Sequence, residues 1–226
     1  LLLLLLLLLW AYMQLPAGKV RCFNHESPSS YPYLVVREAH VRIVGTPPTG
    51  DGDRWPTKIT GAISCQSAQN FTLECVSLTN DRRSGRVGVY FYNSRNFLVK
   101  NVEINGCAGT GISVHGGDGK VESCRVHHND EHGMFVVGES QVKIVSTDLS
   151  YNKGCGMLCF SHVSMNCAGS DVAKNGGYGL HAAGKGTKIS IVGGKKYALS
   201  HGNATAASSL VAERRLRDAF TAGGAM

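Results

Sequence analysis

Gly88-Val89-Tyr90-Phe91, Gly111-Ile112-Ser113-Val114, Gly133-Met134-Phe135-Val136, Gly156-Met157-Leu158-Cys159 and Gly179-Leu180-His181-Ala182 open five segments set 23, 22, 23 and 23 residues apart. The repeat holds at more than the glycine. Four residues before it stand Cys107, Asn129, Asn152 and Asn175, and seven before it stand Ile104, Val126, Leu149 and Val172. A unit this short cannot bury its own apolar face and must stack on copies of itself. The glycines read as sites for positive φ at a turn, and the asparagines as turn residues that tolerate the left-handed region.

A period of 22–23 residues accommodates three short strands and three turns per coil. A left-handed hexapeptide helix would repeat an apolar residue every six positions, leucine-rich repeats need a Leu-x-x-Leu-x-Leu frame, and helical repeats need longer periods. None of these frames is present. The pattern predicts an all-β, right-handed parallel β-helix of about seven coils over residues 34–202. The composition agrees: 28 glycines in 226 residues, with only 8% aromatic and 17% charged residues, suit tight turns around a stacked aliphatic interior.

The first nine residues are leucine, followed by Trp10, Ala11, Tyr12 and Met13. This run predicts a hydrophobic helix over 1–15: a membrane anchor, the remnant of a signal sequence, or a placeholder run. Residues 16–33 read as a linker with three prolines. At the other end, Ser208–Phe220 reads as a short amphipathic helix within the tail 203–226, with Ala212, Leu216, Ala219 and Phe220 on one face. Arg214, Arg215, Arg217 and Phe220 are its candidate interaction residues, and capping the open coil end or docking on a partner its candidate roles.

The net charge of +7 is spread along the chain, which disfavours a nucleic-acid groove. No two of the eight cysteines are spaced for in-register bridging between rungs. Cys124 falls over Thr147 and Cys167 over Ile144, as small hydrophobes would. Cys155-x3-Cys159 with Cys167 makes a poor zinc set, because strand residues four apart lie roughly 13 Å apart.

The column eight residues before each glycine reads Glu103, Arg125, Asp148 and Asp171, and it points outward because its neighbours point in. Arg125, Asp148, Asp171 and Lys174 are the candidate catalytic group. The carboxylates of Asp148 and Asp171 could hold Ca²⁺ against a sugar uronate, and Arg or Lys could take a proton. The competing reading is an ordinary ladder of alternating charge. His127-His128-Asn129-Asp130-Glu131-His132 is the densest polar run, but adjacent side chains in an extended turn diverge, which argues against a metal site. Tyr90, Tyr92 and Tyr151 are candidate exposed aromatics, without forming a continuous stripe.

From about residue 34 to 200 the chain resembles the right-handed parallel β-helix superfamily, the fold of pectate lyases, polygalacturonases, alginate epimerases and phage tailspikes. That resemblance implies the fold and leaves the function to be argued from the site. The Asn-Thr-Asp, Asp-Asp and Gly-His-Gly motifs of polygalacturonases are matched only in part by Ser146-Thr147-Asp148, Asp130-Glu131 and Val114-His115-Gly116, in different columns. The Asp-Pro-His-type signature of alginate epimerases is missing. Two functions are therefore expected. The first is a non-catalytic scaffold that binds other protein subunits without a cofactor. It would be an accessory subunit of a membrane-associated, energy-transducing assembly, touching the membrane through residues 1–15, with the coil in a soluble compartment on one side. The alternative is a secreted or surface polysaccharide lyase or epimerase, or a carbohydrate-binding module, acting on acidic polysaccharide with Ca²⁺.

Overall fold

The computed structural model describes residues 12–14, 18–21, 33–47, 55–80, 87–192 and 199–201. Within them run strands β1 (Tyr12–Gln14), β2 (Gly18–Arg21), β3 (Tyr33–Val36), β4 (Arg42–Val44), β5 (Thr57–Thr60), β6 (Ala62–Gln66), β7 (Thr72–Glu74), β8 (Ser77–Thr79) and β9 (Val89–Lys100). They continue as β10 (Glu103–Asn105), β11 (Ile112–Glu122), β12 (Arg125–His127), β13 (Met134–Val145), β14 (Met157–Phe160), β15 (Val163–Ala168), β16 (Leu180–Ala183), β17 (Lys188–Val192) and β18 (Leu199–His201). Every pairing among the described residues is parallel. The chain is an all-β parallel solenoid of about six turns, close to the seven expected, with no helix among the described residues.

Three faces enclose the core. The first runs β3-β6-β9-β11-β13-β14-β16-β18 and the second β1-β4-β7-β9-β11-β13-β15-β17. The long strands β9, β11 and β13 bend at mid-length and so serve both. The third face is β2-β5-β8-β10-β12, prolonged by single bridges from Arg125 to Asp148 and from Asp148 to Asp171. Strand pairing thus begins upstream of residue 34, since β1 lies in the segment read as a hydrophobic helix and β2 in the segment read as a linker. A rung needs only three alternating residues, too few to register as a period. Residues 1–11 and 202–226, including Arg214, Arg215, Arg217 and Phe220, lie outside the described residues. No described helix is long and apolar enough to cross a membrane.

The glycine column does a different job from the one its sequence suggests. Gly88, Gly111, Gly133 and Gly156 do not adopt positive φ. A methyl group on Gly88, Gly111, Gly133 or Gly156 would instead sit 2.6–2.8 Å from the carbonyl oxygen of the next glycine along the column. The repeat is conserved along the chain because the backbones approach too closely for any side chain. The left-handed residues come one position before the asparagines, at His128, Tyr151 and Lys174, with φ of 55–57°.

The asparagines are an internal ladder. Asn129 Oδ1 accepts from Cys107 N at 3.1 Å, Asn152 Oδ1 from Asn129 N at 3.2 Å, and Asn175 Oδ1 from Asn152 N at 2.9 Å. Ile104, Val126, Leu149 and Val172 are all buried beside it, as their column predicts. Phe91 and Phe97, on the two arms of β9, stack at 4.0 Å across the interior, and Phe71 meets Phe91 edge-on at 5.9 Å. Each such side chain contributes about 1.5–3 kcal/mol by leaving water. Seven cysteines, from Cys65 to Cys167, are free and buried within this packing. Burial pushes the Cys107 and Cys167 thiols up to about 12, which leaves them inert and rules out thiolate chemistry near neutrality.

Candidate functional site

The sequence-predicted column is real. Glu103 pairs in register with Arg125, and Arg125, Asp148 and Asp171 follow one another on successive rungs of the third face. Each of these polar groups has a protein partner. Arg125 Nε lies 3.6 Å from Asp148 Oδ2, Ser150 Oγ donates to Asp148 Oδ1, and Asp171 Oδ1 accepts from Ala173 N at 3.1 Å. Lys174 Nζ donates to Tyr151 Oη at 2.6 Å and stands 5.0 Å above its ring. That bond holds the ammonium above its ordinary pKa. Glu103, Arg125 and Asp148 alternate in sign, Asp171 follows Asp148 with like charge, and the side chains find their partners within this open face.

A concave site forms elsewhere, where the first face bends into the second. At this corner the chain bends through left-handed residues on successive rungs: Asn93, Gly116 and Gly117, Gly138, Ser161 and His162, Gly184 and Gly186. The bends open a groove of about 1360 Å³ across five rungs, lined by Tyr92, Arg95, His115, Asp118, Glu139, Gln141, His162 and Lys188 among others. A second hollow of about 580 Å³ continues it over the second face, past Asp118, Lys120, Gln141, Lys143 and Asn166. Beneath the lip, buried Ser140 Oγ accepts from Gly116 N at 3.0 Å and donates to Val137 O at 2.9 Å. This fixes the corner independently of any ligand.

A run of rings lies on the first face beside the groove, and two of its members, Tyr92 and His115, line it. Tyr92 stacks on Tyr90 at 6.4 Å, Tyr90 meets His115 edge-on at 5.0 Å, His115 meets Phe135 at 5.6 Å, and Phe135 lies 6.4 Å from His132. Two histidines and a phenylalanine extend Tyr90 and Tyr92 into this run, while Tyr151 stands apart against His128. The run steps across three rungs, which are about 4.8 Å apart, through its Tyr90–His115 and His115–Phe135 contacts. Tyr92 and His115 are register partners on adjacent rungs. Burial lowers the His115 pKa, so the imidazole is neutral at pH 7, while its Nε2 lies 3.0 Å from Ser113 Oγ. Burial, then the neighbouring Tyr92, raises the Tyr90 phenol. A neutral imidazole beside phenols, with Arg95 and Lys188 in the same groove, can accept a proton from a bound molecule, return one, and neutralise a carboxylate. Sequence reasoning named Tyr90 and Tyr92 and noted His115 only as a partial motif. The Gly116-Gly117 pair inside a strand was the available signal for the bend.

Three histidines give the fold an acid limit. His115, His127 and His132 are all lowered, in each case chiefly by burial, and for His127 against the opposing pull of Glu103. The unfolded chain therefore takes up protons that the folded chain refuses once the pH drops below the ordinary value of about 6.5. Their stabilisation is complete above that pH and is lost as pH falls through the depressed folded values. Thermal midpoints are expected to be flat above pH 7 and to decline from about pH 6.5 downward, with a shallower decline in His115→Gln. A midpoint unchanged between pH 7 and pH 5 contradicts this.

The sequence matches the family profile described as "Right handed beta helix region" over residues 57–195. Among solved structures, the A-module of Azotobacter vinelandii mannuronan C-5 epimerase AlgE6 superposes with a TM-score of 0.51 at 18% identity, covering 82% of this chain and 67% of that one. The A-module of mannuronan C-5 epimerase AlgE4 from the same organism gives 0.51 at 16% identity, covering 82% and 68%. Among curated protein sequences nothing matches.

Proposed function

This chain belongs to the right-handed β-helix family, and on that premise we propose that it is a carbohydrate-active protein that holds a polysaccharide chain along its corner groove. The observation that carries the reading is the pairing of Tyr92 with His115 in an open groove that runs across the rungs and is lined by hydrogen-bonding side chains. Pyranose rings present apolar faces to aromatic walls and hydroxyls to polar floors, and the groove offers both. The neighbours' fold supports the reading, and their printed activity, C-5 epimerisation of mannuronan, supplies its sharper form. In that form a uronate is processed by removal of the C5 proton. His115 takes the C5 proton as the neutral base, water in the open groove returns a proton to the other side of C5, Tyr92 beside His115 hydrogen-bonds the sugar, and Arg95 or Lys188 neutralises the carboxylate so that the C5–H is acidic enough to break. The column of Arg125, Asp148, Asp171 and Lys174 does not line the groove, and a Ca²⁺ at Asp148 and Asp171 would serve the alternative arrangement on the third face.

The test is incubation of the protein with alginate and polygalacturonate in D₂O, followed by NMR of the polymer and by double-bond absorbance. Deuterium at C5 without a double bond establishes epimerisation, and a double bond establishes elimination. His115→Gln is expected to lower either by about 10²–10⁴-fold. In affinity gels, Tyr92→Ala is expected to weaken retention by polysaccharide about fivefold, the loss of about 1 kcal/mol of ring contact. Failure of any polysaccharide to retard the wild-type protein overturns the groove reading altogether.

A second reading has its own observation. Phe160 is 48% exposed at the end of β14, in register with Val137 and Ala183, and Tyr178, 45% exposed, precedes β16 and meets His181 edge-on. Exposed aromatics on this face suit contact with a protein partner, as the accessory-subunit role requires. Native purification in mild detergent tests it: stoichiometric partners support the role, and a free monomer removes it.

A further inference from the structure

The third face carries an arrangement that the groove does not use. In a continuing strand the imidazoles of His127 and His128 would point to opposite sides. His128 instead takes the left-handed conformation, with φ of 55°, and its ring turns back beside that of His127. The two Nδ1 atoms end 2.6 Å apart, with the rings nearly perpendicular at 82°.

Both rings are held from behind. His127 Nε2 donates to Glu103 Oε1 at 3.1 Å, with the two side chains only 12% and 15% exposed, and Glu103 Oε2 accepts from Ser77 Oγ at 2.8 Å. The carboxylate therefore fixes the proton of His127 on Nε2 and leaves the Nδ1 lone pair facing His128. The His128 ring lies parallel to Tyr151, at 5.4 Å and 2°, and Tyr151 is in turn bonded to Lys174. Arg125, the nearest other cation on this strand, is drawn toward Asp148. One proton between two converging nitrogens is all that the pair holds.

We propose that His127 and His128 chelate a first-row divalent transition-metal ion through their Nδ1 atoms, with Glu103 as the hydrogen-bonded outer partner of His127 and water completing the coordination. Among the described residues no group of three or more His, Cys, Asp or Glu side chains converges as a metal cage, so the protein supplies two ligands. The geometry chooses among ions. With metal–nitrogen bonds of about 2.0–2.1 Å, cis positions on a square plane lie about 2.9 Å apart, whereas tetrahedral positions lie about 3.3 Å apart. The pair opens less for the square plane. Cu²⁺ is preferred, then Ni²⁺, with Zn²⁺ weaker than both. The ion takes the place of the shared proton, which moves to His128 Nε2 as that ring changes tautomer.

Calorimetric titration with Cu²⁺, Ni²⁺ and Zn²⁺ salts separately, combined with electron paramagnetic resonance of the Cu²⁺ form, tests the site on the whole chain. The expected result is one equivalent of Cu²⁺ with hyperfine structure from two nitrogens, and affinity falling in the order given. His128→Gln removes an exposed side chain and leaves the core intact, so its expected loss of binding does not reflect misfolding. Glu103→Gln is expected to weaken Cu²⁺ about 10–100-fold while leaving both ligands in place. Undiminished Cu²⁺ binding by the double variant His127→Gln/His128→Gln, a spectrum without two nitrogens, or tighter binding of Zn²⁺ than of Cu²⁺ overturns the assignment.

Discussion

Replacing Asn152 with alanine is expected to lower the thermal midpoint by roughly 10 °C, at about 2–4 °C per kcal/mol for a chain of this size. Asn152 is 2% exposed and sits in the middle of the internal ladder. Its Oδ1 accepts from both Asn129 N and Asn129 Nδ2, and its Nδ2 donates to Val126 O, Ser150 O and Asn175 Oδ1. Alanine strands two donors of Asn129 where water does not reach, each at about 1–3 kcal/mol, and removes a donor from two backbone carbonyls and from Asn175 Oδ1. A total of about 3–5 kcal/mol places the change among the most damaging single substitutions. Asn152→Asp keeps the acceptor and loses the donor, and adds a buried charge that protonation removes. Its deficit is expected to shrink as pH falls through the buried carboxyl's raised pKa. Melting curves of both variants followed by circular dichroism decide the matter, and a shift below 2 °C for Asn152→Ala would mean that the ladder is solvated.

The period was legible because stacking makes every rung answer the same demand at the same column. Gly111 has no room for a methyl group because Gly133 O would lie 2.8 Å from it, and Gly133 is there for the same reason relative to Gly156. Such a constraint writes itself into the sequence at fixed intervals, and so do the buried positions of Val126 and Leu149. What sequence reasoning misassigned was the cause: a glycine excluded by crowding and one required by positive φ are the same letter. The column of Arg125, Asp148 and Asp171 was legible too, since strand alternation decides which side a residue faces.

The groove and the histidine pair were not legible, because both depend on breaks in alternation. His127 and His128 were expected to diverge, as neighbours in an extended chain do, and they converge because the left-handed turn falls on a histidine. His115 joins Tyr90 and Phe135 in one run of rings although the three lie on different rungs. Tyr90 and Phe135 share a column, both in register with Ser113, but His115 reaches them from a position two residues further along its strand. Sites on a solenoid are made of exceptions to the repeat, and the exceptions have no second copy in the chain against which to be recognised.

Gly117→Ala is expected to be the most severe substitution at the corner and to couple stability to the groove. Gly117 has φ of 108°, which side-chain-bearing residues rarely adopt, and a methyl group there would overlap the carbonyl oxygen of Ser94 on the adjacent rung. That oxygen belongs to backbone paired in register with Gly117, so it cannot swing aside. Relief requires β11 to part from β9 where the groove wall is made, at an expected cost above about 4 kcal/mol. Gly116 provides the comparison. Its φ is 75°, but the atom a methyl group would meet, at 2.6 Å, is Asn93 Oδ1, the end of an exposed side chain that can rotate away. Gly116→Ala is therefore limited to the left-handed penalty of about 1–2 kcal/mol. Because Tyr92 and His115 flank the same bend, Gly117→Ala is expected to lose retention by polysaccharide at temperatures where it is still folded, and Gly116→Ala to keep most of it. Paired melting curves and affinity gels read both effects. Equal stability of the two variants would show that the corner is held by side chains and not by the approach of the two backbones, and the groove would then owe its shape to something other than Gly117.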